Sequence, residues 1–312
     1  MTDAKGPAGR YRVTAIGQTD VGLRRDNNED SFLIADLTTG ITARPFSTFQ
    51  REIGKGGCLL VVADGMGGAD AGEVASAIAV RTIFEGMRSR LEDGADEDDA
   101  GFVEALRAAV QEANQTIHRA SESQAQYHGM GTTVTAAAVR GHRACFAQVG
   151  DSRGYLVRGH TITQVTEDQS FVNELVASGV LSPEAAQHHP RRHVILQALG
   201  VGADVNVVVS FAELQPGDVI LVCSDGLSEK VTAEEMRDAV AEHESAADAC
   251  ARLVALARER GGEDNITVVV GQFDVDGSEA SSPESDDTWP GSEPRDTSRS
   301  RWWPWRARSR KS

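Results

Sequence analysis

The sequence has few of the features that settle a protein's class by themselves. Its four cysteines, Cys58, Cys145, Cys223 and Cys250, lie far apart, and no Cys-x-x-Cys pair occurs. That argues against a zinc site or a disulfide framework as the organising element. Cys58, Cys145 and Cys223 sit inside apolar runs, where a thiol behaves as a small buried hydrophobe. No apolar stretch reaches the ~18 residues that suggest a membrane-spanning helix, and nothing resembles a secretory signal. The expectation is a soluble, cytoplasmic protein. Positive charge is scarce as well: the 312 residues carry a formal net charge of -16. Residues 277–312 hold seven basic and six acidic side chains, a balance of +1, which leaves -17 on the remainder. A body this acidic is a poor nucleic-acid partner, and it can hold phosphate only with help from cations.

What is present is enough apolar material, 40% of residues, for one large core or two modest ones. Val-, Ile- and Leu-rich runs bounded by Gly, Asp or Asn predict strands over 11–17, 31–35, 58–63, 132–140, 144–149, 154–158, 205–211, 218–223 and 266–273. Apolar residues near a 3.6 period predict helices over 72–91, 100–123, 171–178, 233–242 and 245–260. Helices come in pairs between groups of strands, and short turns join several strands. That pattern points to antiparallel sheets covered by helices, an α+β fold, rather than to a strict βαβ winding. Residues 1–10 read as a loose leader. The 36–57 connection has little period and reads as a surface loop. From about 276 to 312, Ser, Pro, Asp and Arg dominate, which is the composition of a disordered tail.

The chemistry lies in carboxylates at the mouths of strands. Three apolar runs end in an acid: LLVVAD with Asp64, CFAQVGD with Asp151 and VILVCSD with Asp225. A fourth acid, Asp264 in GGEDNITVVV, stands just before the last strand. Any one of these is an ordinary turn or cap residue. Four with small neighbours, on strands that can share sheets, describe a site. Bare carboxylates gathered together repel one another and raise one another's pKa, and a divalent cation removes that penalty. Oxygen ligands without Cys or His favour Mg²⁺ or Mn²⁺ over Zn²⁺. Gly65 then lets its backbone carbonyl approach a metal, and Gly67 and Gly68 open the site to a substrate. In RRDNNED, Arg25 precedes Glu29 and Asp30, and an arginine beside metal-binding acids is a phosphate clamp.

RDNNED, ADGMGG, GMGTT, GDSRGY, CSDGLS and GGEDNITVVV occur in this order. Each is weak alone, but the ordered set closely resembles the bacterial metal-dependent serine/threonine protein phosphatases of the 2C type. The resemblance covers about residues 11–275. It implies a four-layer α-β-β-α sandwich, with two antiparallel β-sheets flanked by helices. It implies that Asp64 bridges two Mn²⁺ or Mg²⁺ ions and that the Gly65 carbonyl joins one of them. Asp225 and Asp264 would complete the first site, Glu29 would act through water on the second, and Arg25 would hold the substrate phosphate. Asp151, with Asp225, resembles the pair that binds a third metal in many bacterial members. Asp30 would orient ligands or water.

The implied reaction needs no protein nucleophile and forms no phosphoenzyme. A water between two cations loses its proton near neutral pH and attacks phosphorus in line, while the cations and Arg25 stabilise charge on the oxygens. The natural partners are phosphorylated proteins, among them a bacterial serine/threonine kinase or its targets. Eukaryotic members often carry a His after the Asp-Gly pair as general acid, whereas this chain has Met66, as bacterial members commonly do. None of the eight histidines is an evident general acid. His188, His189 and His193 fall within 167–200, which matches the family's flap beside the site, an element that influences substrate choice and suits a mobile lid.

Three rival readings are weaker. GDSRG matches the G-x-S-x-G elbow around Ser152, but a hairpin pattern follows it where the elbow needs a helix, and no triad order is visible. Ser152 fits a local hydrogen bond in the turn better. G-x-G-x-x-G fails because Asp70 holds the last glycine position, and the P-loop G-K-[ST] is absent. A non-catalytic module on the same scaffold would not keep every ligand. In the tail, Trp302, Trp303 and Trp305 interleave with Arg and suit weak contact with an anionic membrane surface or a partner, though Pro304 prevents a tidy amphipathic helix.

Overall fold

The structure, a computed structural model, describes residues 10–44, 46–67, 71–94, 98–243 and 245–275. The tail tryptophans, nearly all of the leader, Gly68 and Asp70 lie outside the described residues. Strands β1 (Tyr11–Asp20), β3 (Phe49–Glu52), β8 (Arg153–Arg158), β9 (Thr161–Gln164), β11 (Asp218–Cys223) and β12 (Ile266–Val275) form one six-stranded sheet, ordered β3-β1-β12-β11-β8-β9. Strands β2 (Asp30–Asp36), β4 (Cys58–Met66), β6 (Val134–Arg140), β7 (Arg143–Val149) and β10 (Val208–Glu213) run in the order β10-β7-β6-β4-β2 in the second, where the short β5 (Gly131–Thr132) pairs with β4. Every pairing is antiparallel.

The apolar runs are continuous because both faces of the central strands are covered. Along β4 the alternation splits cleanly: Leu59, Val61 and Ala63 face the helices α1 (Ala71–Glu92) and α2 (Asp99–Ser123), while Cys58, Leu60 and Val62 join the layer between the sheets. Along β11, Ile220 and Val222 enter that middle layer, while Val219, Leu221 and Cys223 pack toward α6 (Ala233–Glu242) and α7 (Ala246–Glu259). This is the expected four-layer α-β-β-α order. Leu60 is wholly buried, so Leu60→Ala would remove about 3 kcal/mol by opening a cavity between the sheets.

Local signals set the helix ends. The Asp98 side chain caps α2 by accepting from Gly101 N at 2.6 Å. A capping box closes α6, with Thr232 and Glu235 each satisfying the other's backbone N–H. One connection differs from expectation. Within 36–57 the chain forms β3 on the edge of the first sheet, pairing with β1 from Arg12↔Glu52 to Ala15↔Phe49. Only Phe49 of its four residues is buried, so the strand has too little alternation to be visible in the sequence.

Candidate metal centre

Sheet pairing gathers the acids before any side chain is considered. Asp30 opens β2 and lies directly across from Asp64 near the end of β4. Asp151 follows β7, and Asp225 follows β11 at the head of the short helix α5 (Asp225–Ser228). Asp264 precedes β12. Gly65 N donates to the Glu29 carbonyl at 3.1 Å, which sets Glu29 beside the β4 end. A Cβ on Gly65 would overlap the carbonyl oxygens of Glu29 and Gly72. This glycine therefore serves close approach of three backbone segments.

The carboxylates feel one another strongly. Burial pushes Asp64 well above the usual carboxylate range, and the nearby charges of Asp30, Asp225, Asp151 and Asp264 push it further. Burial, followed by Asp225 and Asp168, raises Asp151 to about 8. Burial raises Asp30 to about 7 against the hydrogen bonds of Thr267 and Ser224, and burial with Asp264 and Glu229 raises Asp225 to about 6. Oδ1 of Asp30 and Oδ1 of Asp225 are buried without a hydrogen-bond partner. Orphaned acceptors and mutually repelling acids form a donor set that hard divalent cations would satisfy, so the residues fit Mg²⁺ or Mn²⁺.

Arg25 stands at the mouth. Its Nη2 donates to Asp264 Oδ2 at 2.7 Å, and both side chains are partly exposed. The hydrogen bond from Arg25 to Asp264, and the charges of Asp264, Glu29 and Asp64, raise its pKa further. An arginine resting on one acid of a group can turn its remaining N–H donors to an incoming phosphate.

A polar lattice that the sequence reading missed holds the acids in place. Ser224 Oγ donates to Asp30 Oδ2 at 2.8 Å and accepts from Thr267 N at 3.0 Å. Asn265 Oδ1 accepts from Glu29 N at 2.8 Å, and its Nδ2 donates to the Val21 and Asn27 carbonyls at 3.0 Å each. The arginine–acid loop is thus pinned to the head of β12. Thr133 N donates to the Asp64 carbonyl at 2.8 Å. The Thr133 hydroxyl lies 2.7 Å from that of Ser152, 19 positions away, so Ser152 bonds across to the segment entering β6 and not within its own turn as expected. The signal for these groups was buried Asn, Ser and Thr beside the acids. Their partners, up to 244 positions away, were not readable.

The Asp151 turn is stitched to the segment that follows β9. Gly150 N donates to Gln169 Oε1, and Gln169 N donates to the Gly150 carbonyl, both at 2.9 Å. Arg153 donates to both carboxylate oxygens of Asp168 at 2.7–3.0 Å. Beyond this anchor run α3 (Phe171–Ala177) and α4 (Pro183–Gln187), which contain no buried residue. His193 leaves this stretch to meet Glu229, just past α5, at 2.6 Å. A hollow of about 260 Å³ lies elsewhere, among Val157, Val219, Val240, Ala246 and Val270 on the α6–α7 side. It contains none of the acids.

A sandwich of two helix-covered sheets with uncompensated carboxylates at the strand ends defines a protein built around hard divalent cations. A family model described as Protein phosphatase 2C matches residues 48–267. The chain belongs to this family. It is 39% identical over 217 residues to the serine/threonine phosphatase stp of Listeria monocytogenes, covering 70% of this chain and 85% of that one. It is 39% identical over 263 residues to the serine/threonine protein phosphatase PstP of Mycobacterium tuberculosis, covering 83% of this chain and 45% of that longer one. Among solved structures it is similar to the catalytic domain of PstP in complex with two manganese ions. There the TM-score is 0.68 at 35% identity, covering 85% of this chain and 99% of that one.

Proposed function

We propose that residues 11–275 are a protein serine/threonine phosphatase domain that uses Mn²⁺ or Mg²⁺, with Asp64, the Gly65 carbonyl, Asp225, Asp264 and Glu29 as its ion-holding groups. The observation that carries the reading is the group of buried, mutually repelling carboxylates with orphaned oxygens at Asp30 and Asp225. Cations bound there would supply an activated water near neutral pH and neutralise charge on phosphoryl oxygens. Asp64, held at the end of β4 by the Thr133 contacts, is central to the group. Arg25 leaves Asp264 to hold two phosphate oxygens in its fork and so aligns phosphorus for in-line attack. Asp30 keeps Ser224, and with it the start of α5, in register with β4. Met66 offers no proton, so the departing alkoxide of serine or threonine takes its proton from water. Residues 167–200 form a flap that screens substrates, and Asp151 and Asp225 would hold a third ion.

The substrates are phosphorylated proteins, among them a bacterial serine/threonine kinase and that kinase's targets. The tail acts as a weak tether to a membrane surface or partner. No helix among the described residues is long and apolar enough to cross a membrane, and the reading places the enzyme in the cytoplasm. The test is phosphate release from a phosphothreonine peptide, with Mn²⁺ and with chelator, for wild type and Asp64→Asn. Turnover by Mn²⁺-loaded wild type alone supports the reading. No release from several phosphopeptides by folded, loaded protein, or full activity in Asp64→Asn, overturns it.

A further inference from the structure

A second set of metal-ligating groups converges beside the first. Among the described residues, His193, Asp225 and Glu229 form the one group of three His, Cys, Asp or Glu side chains whose ligand atoms all lie within 4.8 Å of one another. The backbone explains the meeting. Glu229 N donates to the Asp225 carbonyl at 2.8 Å. That closes a single helical turn and sets the two carboxylates, four positions apart, on one side. His193 comes from the other direction, at the end of the 167–200 stretch, with Nδ1 2.6 Å from Glu229 Oε1.

An ion pair between His193 and Glu229 accounts for part of this. It does not account for Asp225, whose carboxylate lies in the same group. Even a fully protonated imidazole brings one positive charge to two carboxylates. The His193 side chain is 49% exposed and that of Glu229 30%, so the group is open to water. One imidazole, two carboxylates and water are a common ligand set for a transition ion, and imidazole favours Mn²⁺ or Zn²⁺ over Mg²⁺.

We infer that His193, Asp225 and Glu229 form a binding site for a transition-metal divalent ion, which ties the 167–200 stretch to the start of α5. The site shares only Asp225 with the centre proposed above and differs from it in chemistry, because one ligand is nitrogen. It makes occupancy by Mn²⁺ rather than Mg²⁺ a property of the flap. An ion held only by Asp151 and Asp225 would have no nitrogen ligand.

The full chain is loaded with Mn²⁺ alone and examined by pulsed electron paramagnetic resonance for coupling to an imidazole nitrogen, with bound Mn²⁺ counted by equilibrium dialysis. Wild type shows the coupling. His193→Ala loses it together with one equivalent of Mn²⁺, Glu229→Gln weakens it, and His189→Ala and Asp151→Asn keep it. Because His193 is half exposed, His193→Ala keeps the wild-type circular dichroism. The inference is overturned if wild type shows no nitrogen coupling, if His193→Ala keeps both coupling and stoichiometry, or if the signal follows His189 or Asp151. Failure of phosphate release with the nitrogen signal intact counts against the proposed function and not against this site.

Discussion

Strand β11 carries an aspartate at either end, and the protein treats the two in opposite ways. Asp218, at the start, has a side chain only 2% exposed. It accepts from Arg158 Nε at 2.9 Å and Nη2 at 2.7 Å, and from Gln215 N at 2.7 Å. Asp99 is handled similarly, between Arg140 and Arg143. Asp225, just past the other end, is buried among Asp64, Asp264 and Glu229, with one oxygen unsatisfied. One end of the sandwich thus neutralises its acids with arginines fixed by the fold. The other end leaves them to be neutralised by something that arrives. The contrast separates an acid that holds the structure from an acid that holds a ligand.

The largest effect expected at the ligand end is on turnover. Asp64→Asn should lower kcat by about 10³-fold or more, roughly 4 kcal/mol of transition-state stabilisation. Asp218→Asn should leave kcat within about twofold, because it lies at the far end of β11. Phosphate-release assays of the two purified variants check both sides, and equal losses would erase the contrast.

The next effect is on pH dependence. Folded-state carboxyls raised to about 6, 7 and 8 at Asp225, Asp30 and Asp151 hold protons that the unfolded chain releases at lower pH. Where the folded state binds more protons, stability falls as pH rises. The chelator-treated protein should therefore lose stability as pH climbs from about 5 to 8, with Tm falling by about 5 °C or more. Saturating Mn²⁺ should flatten that slope. Melting curves that rise with pH in chelator would contradict the assignment of these acids.

Smaller effects follow at the edges of the contrast. Arg158→Leu strands the buried Asp218 charge and should cost about 2–3 kcal/mol, with kcat unchanged, as read from denaturant midpoints and turnover of the same sample. Arg25→Lys keeps a charge at the mouth but loses the fork, and should raise KM for a phosphothreonine peptide about tenfold, near 1.4 kcal/mol. Added salt should weaken the lysine variant's binding more than that of wild type.

The two ends were not equally legible in the sequence. The acids at the ligand end stood out because doubly buried strands read as unbroken apolar runs, so a carboxylate closing one is conspicuous. LLVVAD and VILVCSD are such cases, and the boundaries of β11 and α6 agree with the predicted ones. The arginine-paired acids gave no such signal, because Arg158 is 60 positions from Asp218 and Arg140 is 41 from Asp99. The same reason hid Ser224 beside Asp30, 194 positions away. β3 was hidden by its single buried residue. His193 was noticed only as part of a histidine-rich stretch, and its meeting with Glu229 depends on how that stretch folds back over α5.

The most direct test of the contrast is the thermal stability of Asp64→Asn in chelator and in Mn²⁺. An amide in place of a carboxyl that must be buried either protonated or repelled by its neighbours should raise Tm of the metal-free protein above wild type and abolish most of the further rise that Mn²⁺ gives wild type. A lower Tm in chelator, of the kind expected for Arg158→Leu, would mean that Asp64 is a structural acid after all, and that the strand-end carboxylates are not held in waiting for cations.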